Sequence, residues 1–174
     1  IYSVWGGAND LFAVVQDPLQ APMILMDSVV NQVGIIDSLH KHGARYILVG
    51  DIPDLGKTPE FAGIPVVSDI ATLLSSTYNQ GLALGLASSQ ANIIPLTISG
   101  LLTEVMADPT TYGFSNVTDA ACSTSSLYCG PAQLVSADAD QTHLYADGVH
   151  PSSKAHQAIA QYVDAVFSAG TVVG

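Results

Sequence analysis

The chain has 174 residues, which is long enough for one domain with a sizeable core. Hydrophobic residues make up 48% of the sequence, and this proportion excludes intrinsic disorder. Four lysines and arginines stand against fifteen aspartates and glutamates, so the formal net charge is −11. Such a surface repels phosphate groups, which excludes nucleic acid as a partner. No uninterrupted apolar run reaches about 18 residues, so no membrane span is predicted.

The first half of the chain alternates between short apolar runs and helical periodicity. Residues 2–5 form an apolar run followed by two glycines, which predicts a strand and a tight turn. Apolar side chains then recur at helical spacing over residues 23–41, and Gly43 predicts the end of that helix. A second strand is predicted at residues 46–49. After a loop that contains prolines, a second helix is predicted over residues 70–87.

The second half continues this alternation and then loses it. A third strand is predicted at residues 91–96 and a short helix at 101–106. Residues 108–150 carry few periodic signals, so we predict a long connection there. Connections of this length are uncommon in compact domains and are usually functional. A last helix follows, with Ser152 or Ser153 at its N-cap. Because the strands are continuously apolar and alternate with helices, we predict an α/β fold with a parallel sheet of about three strands, covered on both faces.

Asp147 and His150 form the first candidate for chemistry. An Asp three residues before a His, across a turn that contains a glycine, can hydrogen-bond the imidazole and fix its tautomer. The imidazole can then take a proton from a hydroxyl nucleophile and return it to a leaving group. On spacing alone, however, a helix-capping Asp beside an exposed His explains the same residues.

Asn9 is the second candidate, because it lies on a glycine-rich turn directly after the first strand. Ligands of open parallel sheets bind beyond the carboxyl ends of the strands, where an amide can donate to a developing oxyanion. The alternative is an ordinary strand-to-helix turn in which Asn9 or Asp10 caps the next helix.

Taken together, the two candidates resemble the SGNH subgroup of the GDSL family of esterases and lipases. Residues 4–11 (VWGGANDL) resemble the block whose Asn donates to the oxyanion hole, and residues 147–151 (DGVHP) resemble the block that supplies the catalytic Asp and His. The middle of the chain resembles the branch with secreted bacterial lipases, acyltransferases and autotransporter esterase passengers, through residues 51–59, 78–79 and 112–119.

The resemblance implies a flavodoxin-like three-layer α/β/α sandwich with catalytic Asp147 and His150 and oxyanion donor Asn9. The family's first block, Gly-Asp-Ser-Leu, holds the nucleophilic serine, and no such block occurs in this sequence. We therefore expect residues 1–174 to be the C-terminal part of a single SGNH hydrolase catalytic domain. The missing N-terminal part would then be a partner that supplies the nucleophile, and the chain by itself would be inactive.

Cys122 and Cys129 are the two cysteines, and they lie close together in a stretch rich in Gly, Ser and Thr. Their even number and short spacing favour a disulfide and an oxidising compartment, with two unpaired thiols as the alternative. Neither cysteine has neighbours at zinc spacing, so no metal site is predicted. The disulfide and the family branch both favour a secreted, periplasmic or outer-membrane surface location.

The leading hypothesis is a carboxylester hydrolase that acts through a Ser–His–Asp acyl-enzyme mechanism on an acyl ester or lipid, without a cofactor. The nucleophilic serine would lie outside this chain. One alternative is an acyltransferase or lysophospholipase that uses the same site. A second alternative, from another class, is a catalytically silent fragment that serves in surface display or interaction.

Overall fold

The computed structural model describes residues 1–170, and these contain five strands and seven α-helices. The strands are β1 (Tyr2–Val4), β2 (Ile47–Gly50), β3 (Ile93–Leu96), β4 (Asn116–Ala120) and β5 (His143–Tyr145). The helices are α1 (Ala8–Gln16), α2 (Ala21–Lys41), α3 (Pro59–Ala62), α4 (Pro65–Leu86), α5 (Ile98–Ala107), α6 (Ala139–Thr142) and α7 (Ser153–Ser168). Single 3-10 turns connect them at Pro18–Gln20, Leu55–Lys57, Pro109–Tyr112, Ser126–Tyr128 and Pro131–Gln133.

The main sheet is parallel and has the order β1-β2-β3, as the continuously apolar strands predicted. Ile47 of β2 lies beside Tyr2 on one neighbour and Ile93 on the other. All four residues of β2 are buried, which is why this strand lacks an alternating pattern of polar residues. The carboxyl ends of the three strands therefore meet at one edge of the sheet.

Alternate residues of β2 face two separate cores. Ile47 and Val49 pack against α1, α2 and α4, whereas Leu48 packs against α5 and α7. Each helix layer places its apolar stripe on one face of the sheet, so burial of both stripes holds the layers together. The architecture is a three-layer α/β/α sandwich, and the predicted fold class is confirmed.

The prediction of a long irregular connection over residues 108–150 is wrong. Strands β4 and β5 pair in parallel there as a separate two-stranded sheet, with Asn116 beside His143. Strand β4 was not predicted because its residues are mostly polar and partly exposed, and a strand is recognised in a sequence by alternation of apolar residues. Strand β5 of this small sheet ends at Tyr145, just before residues 147–150.

Several boundaries also differ from the prediction. Helix α1 was not predicted, and its N-cap is Gly7 rather than Asn9 or Asp10. Helix α4 begins at Pro65, five residues before the predicted Ile70, because proline is favourable in the first turn of a helix. Ser152 caps α7 by accepting a hydrogen bond from the amide of Ala155, so the predicted cap is confirmed.

The helical stretch Pro18–Lys41 is, by length and composition alone, apolar enough to cross a membrane, although no uninterrupted apolar run had predicted a span. In the fold, one face of α2 packs against α1 and α4 and buries Ser28, Gln32 and Ile36. Only 17% of the most apolar window of this stretch is buried in the fold, so its length and composition are weak evidence for a membrane span and its packing accounts for little of its apolar surface.

Candidate active site

Residues 147–150 form a tight turn between β5 and α7. The amide of Ala146 donates to the carbonyl of His150 at 2.7 Å and closes the turn. Inside it, Asp147 Oδ1 accepts hydrogen bonds from the amides of Val149 at 3.1 Å and His150 at 2.9 Å. The carboxylate is therefore fixed by the same turn that presents the imidazole, which is the fold-back expected from the Asp-x-x-His spacing.

The imidazole of His150 lies against this carboxylate. Its Nδ1 is 2.9 Å from Asp147 Oδ1 and 3.0 Å from Oδ2. Since an ionised carboxylate can only accept, Nδ1 must carry the proton, and the neutral ring then has a lone pair on Nε2. The His150 side chain is 61% exposed and the Asp147 side chain only 10%. The geometry thus presents Nε2 as a base that is open to a proton donor.

The carboxylate of Asp147 stays ionised to unusually low pH. Partial burial by itself raises the pKa of Asp147, but hydrogen bonds from the amide of His150, from the side chain and amide of Ser126 and from the amide of Val149 outweigh that effect. The net result is a pKa below the ordinary range of an aspartate. An ionised partner at every physiological pH is what a base needs for stabilisation of its protonated form.

Asn9 lies in the first turn of α1, immediately after the turn at Gly6 and Gly7. Gly7 has a φ of 106°, a left-handed conformation that favours glycine, and a side chain there would collide with the ring of Tyr78. The hydroxyl of Tyr78 donates to the carbonyl of Gly6 at 3.2 Å. A buried tyrosine therefore sets the path of the backbone that presents the Asn9 amide.

The loop after β2 forms the floor of the same region. Asn79 holds Ile52 by accepting from its amide at 3.0 Å and donating to its carbonyl at 2.8 Å. Farther along, the amide of Glu60 in α3 donates to the carbonyl of Gly148 at 2.9 Å. The segment over residues 51–60 thus connects the sheet edge to the turn that carries His150.

One cavity of about 280 Å³ brings the separate parts together. Asn9 and His150 both line it, although they are 141 positions apart in the sequence. The remaining wall is mostly apolar and includes Trp5, Phe12, Ile52, Leu55, Leu102, Tyr145 and Val149. Burial raises the pKa of Tyr145 to about 12, with a contribution from the charge of Asp54, so this phenol stays protonated. The cavity suits an apolar group that ends in a polar, reacting one.

Cys122 and Cys129 form a disulfide, as their spacing predicted. The loop that it closes lies against the Asp147 turn, because the amide of Ser126 donates to Asp147 Oδ2 at 2.8 Å. Ser126 and Glu60 were not found from the sequence, and Trp5 and His156, which both line the cavity, were not predicted as site residues. Tertiary contact alone marks them, since no periodic or spacing signal distinguishes these residues from their neighbours.

Within residues 1–170, no cluster of three or more His, Cys, Asp or Glu side chains is arranged to hold a metal ion. In the same range, Nε2 of His150 has no hydrogen-bond partner, and Ser126 Oγ lies instead on the Nδ1 side at 3.4 Å. The described part of the chain therefore offers a base and its carboxylate without a serine at the base's free nitrogen.

One cavity of this α/β/α sandwich brings together an asparagine and a histidine that a mostly buried carboxylate holds, an arrangement that suits acyl transfer. The sequence profile described as GDSL-like Lipase/Acylhydrolase matches residues 1–163. The chain belongs to this family of esterases and lipases.

Individual relatives agree with that assignment. Esterase EstA of Pseudomonas aeruginosa is 34% identical over 174 residues, which cover 97% of this chain and 26% of the esterase. An uncharacterized protein in the trpE-trpG intergenic region of Pseudomonas putida is 33% identical, over 97% of this chain and 29% of its own length. Lipase 1 of Photorhabdus luminescens is 25% identical over 97% of this chain and 36% of the lipase. The chain thus spans roughly a quarter to a third of these relatives.

Proposed function

We propose that this chain carries the base, its orienting carboxylate and an oxyanion donor of a carboxylester hydrolase that works through a Ser–His–Asp acyl enzyme. The observation that carries the proposal is the shared cavity, in which His150 and Asn9 lie together and Asp147 holds the far side of the imidazole. Membership of the GDSL-like lipase/acylhydrolase family supports an ester as the substrate class.

Each side chain has a distinct role in the proposed reaction. His150 Nε2 removes the proton of a serine hydroxyl as that oxygen attacks the ester carbonyl, and it then protonates the leaving alkoxide. Asp147 stabilises the imidazolium that forms in between. The amide of Asn9 donates to the oxyanion of the tetrahedral intermediate. Water repeats the sequence on the acyl enzyme and releases the acid.

The acyl group would occupy the apolar wall of the cavity. Phe12, Ile52, Leu55 and Val149 offer no charged group to an acyl chain, so its contact with them is driven by removal of apolar surface from water. The substrate class is therefore an ester or lipid with an apolar acyl chain. No metal ion or organic cofactor is needed for this mechanism.

The nucleophile is proposed to come from outside this chain, from the N-terminal part of the same catalytic domain. Two observations support this. Nε2 of His150 has no serine partner among residues 1–170, and β1 pairs on one edge only within that range. At the start of β1, Ile1 and Tyr2 are 64% and 52% exposed, so another strand would find apolar surface there.

A disulfide supports a place of action outside the cytoplasm, since disulfides persist in oxidising compartments. The protein would accordingly be secreted, periplasmic or displayed on the outer membrane surface. Cell fractionation followed by measurement of free thiols in each fraction tests this assignment.

A fluorophosphonate probe tests the function, because it labels only activated serines. We expect a longer protein that contains this chain to be labelled and to hydrolyse p-nitrophenyl butyrate, and His150→Ala to abolish both. The 174-residue chain alone should remain unlabelled. Labelling of a serine within residues 1–174 would contradict the outside nucleophile. Absence of ester turnover in the longer protein with intact His150 would contradict the hydrolase itself.

A further inference from the structure

The loop between Cys122 and Cys129 lies directly on the Asp147–His150 pair. Asp147 accepts hydrogen bonds from the amides of Val149 and His150, and both donors belong to its own turn. In the described part of the chain, the amide that reaches Asp147 from outside this turn is that of Ser126, at 2.8 Å from Oδ2. The disulfide loop therefore supplies a donor that the turn itself lacks.

The loop is held at its two ends, and between them by a 2.8 Å hydrogen bond from the amide of Ser123 to the carbonyl of Gln133 and by its own 3-10 turn. At one end, the amide of Cys122 donates to the carbonyl of Ala146, the residue just before Asp147, at 2.9 Å. At the other end, the disulfide returns Cys129 to Cys122 across seven positions. The side chains of Leu127 and Tyr128 are 82% and 77% exposed, so apolar packing does not fix the loop.

We propose that Ser126 is a positioning residue for the Asp147–His150 pair, and that the Cys122–Cys129 disulfide is what keeps its amide on Asp147 Oδ2. The inference rests on the proposed ester hydrolase function. Without this amide, Oδ2 loses its one backbone donor and depends on the imidazole that it is meant to orient and on the hydroxyl of Ser126. The carboxylate could then rotate, and the ring would follow it away from the serine.

Two substitutions at one position separate the amide from the hydroxyl. Ser126→Pro removes both the N–H and the hydroxyl, and Ser126→Ala removes only the hydroxyl, which lies 3.4 Å from His150 Nδ1 and also lowers the pKa of Asp147. Proline fits this site: Ser126 is the first residue of its 3-10 turn, and Ser125 before it has ψ 141°, as a residue before proline prefers. Ser123→Ala, in the same loop, is the matched control, because its hydroxyl bonds only to the carbonyl of Gln133.

The first readout is steady-state hydrolysis by the protein that contains this chain together with its nucleophile. We expect Ser126→Pro to lower kcat about tenfold with KM within about twofold of wild type, because the lost contact is charge-assisted and acts on the base. The double variant Cys122→Ala, Cys129→Ala should behave alike. Ser126→Ala should fall between wild type and Ser126→Pro, because the hydroxyl also lowers the pKa of Asp147, and Ser123→Ala should retain kcat within about twofold.

The second readout is independent of activity. With carbon-13 in the aspartate carboxyls, NMR titration follows the pKa of Asp147, which should rise in Ser126→Pro more than in Ser126→Ala and should rise in the cysteine variant. An unchanged pKa in Ser126→Pro and in the cysteine variant overturns the proposal. A raised pKa in a protein without esterase activity supports the positioning and refutes the hydrolase. If Ser126→Pro fails to fold, the cysteine variant decides by the same two measurements.

Discussion

Replacement of Asp147 by asparagine changes one atom in the site and reverses the hydrogen-bond chemistry around it. Oδ1 accepts from two amides, those of Val149 and His150, so the asparagine oxygen should take that position. The new NH2 group then occupies the Oδ2 position, where it meets the amide of Ser126 and the imidazole Nδ1, 3.0 Å away. Because the NH2 group donates toward Nδ1, it favours the tautomer with the proton on Nε2, although the asparagine oxygen, 2.9 Å from Nδ1, still accepts.

The expected loss follows from that change of tautomer. With its proton on Nε2, His150 cannot take a proton from the serine, and an Asp→Asn change of this kind in a serine triad lowers kcat about 10⁴-fold. Such a factor corresponds to roughly 5 kcal/mol of transition-state stabilisation. The amide of Ser126 also loses its acceptor, which costs about 1–3 kcal/mol of folding stability.

Steady-state hydrolysis of p-nitrophenyl butyrate by the protein that contains this chain measures the first effect, and urea unfolding measures the second. Asp69→Asn is the matched control: it makes the same change of charge at an exposed position of α4 and should leave both quantities unchanged. A fall in kcat of less than about tenfold in Asp147→Asn would refute the assignment of the tautomer and of Asp147 as the orienting group.

Three further outcomes are expected. Tyr78→Phe removes the hydrogen bond to Gly6 and should cost about 1 kcal/mol by urea unfolding, whereas exposed Tyr46→Phe should cost nothing measurable. Because Asp147 has a folded pKa below its ordinary value of 3.8, its stabilising contribution is complete above that pH and is lost as the pH falls below it; thermal melts of wild type and Asp147→Asn should converge in acid. Ile47→Ala, at a fully buried position in β2, should destabilise the fold by about 2–5 kcal/mol in the same urea assay, and a cost under about 1 kcal/mol would contradict the central place of this strand.

The parts of the site that the sequence predicted are those set by local geometry. Three residues of separation across a glycine allow Asp147 to reach His150, so the spacing was compatible with the hydrogen bond that the structure contains, and the family resemblance favoured it over a helix-capping Asp. The two cysteines are seven positions apart, and their disulfide was favoured for a similar reason. The continuous apolar character of β2 likewise predicted that the strand is buried on both faces. Burial on both faces is typical of a parallel sheet, so the sheet type was predicted as well.

Other parts of the molecule left no pattern to read. The polar, half-exposed residues of β4 do not alternate, because the two-stranded sheet that contains them buries little of their surface. The position of Ser126 over Asp147 depends on a disulfide, on the register between β4 and β5 and on the amide of Cys122. None of these three features requires a particular residue type at position 126, so the sequence carries no signal for the contact. Contacts made by backbone amides are invisible in a sequence, since every residue except proline carries the same donor.

The sequence by itself determined the class of fold, the Asp147–His150 pair and the disulfide, because apolar periodicity and short spacings are local properties that survive in most tertiary contexts. Only the tertiary structure decided that Asn9 and His150 share a cavity, since parallel strands bring distant segments to one edge of the sheet. Only the tertiary structure places the hydroxyl of Tyr78 on the carbonyl of Gly6 and the amide of Ser126 on the carboxylate of Asp147. These contacts join residues that are 72 and 21 positions apart, and only packing selects such pairs from the many that the chain could form.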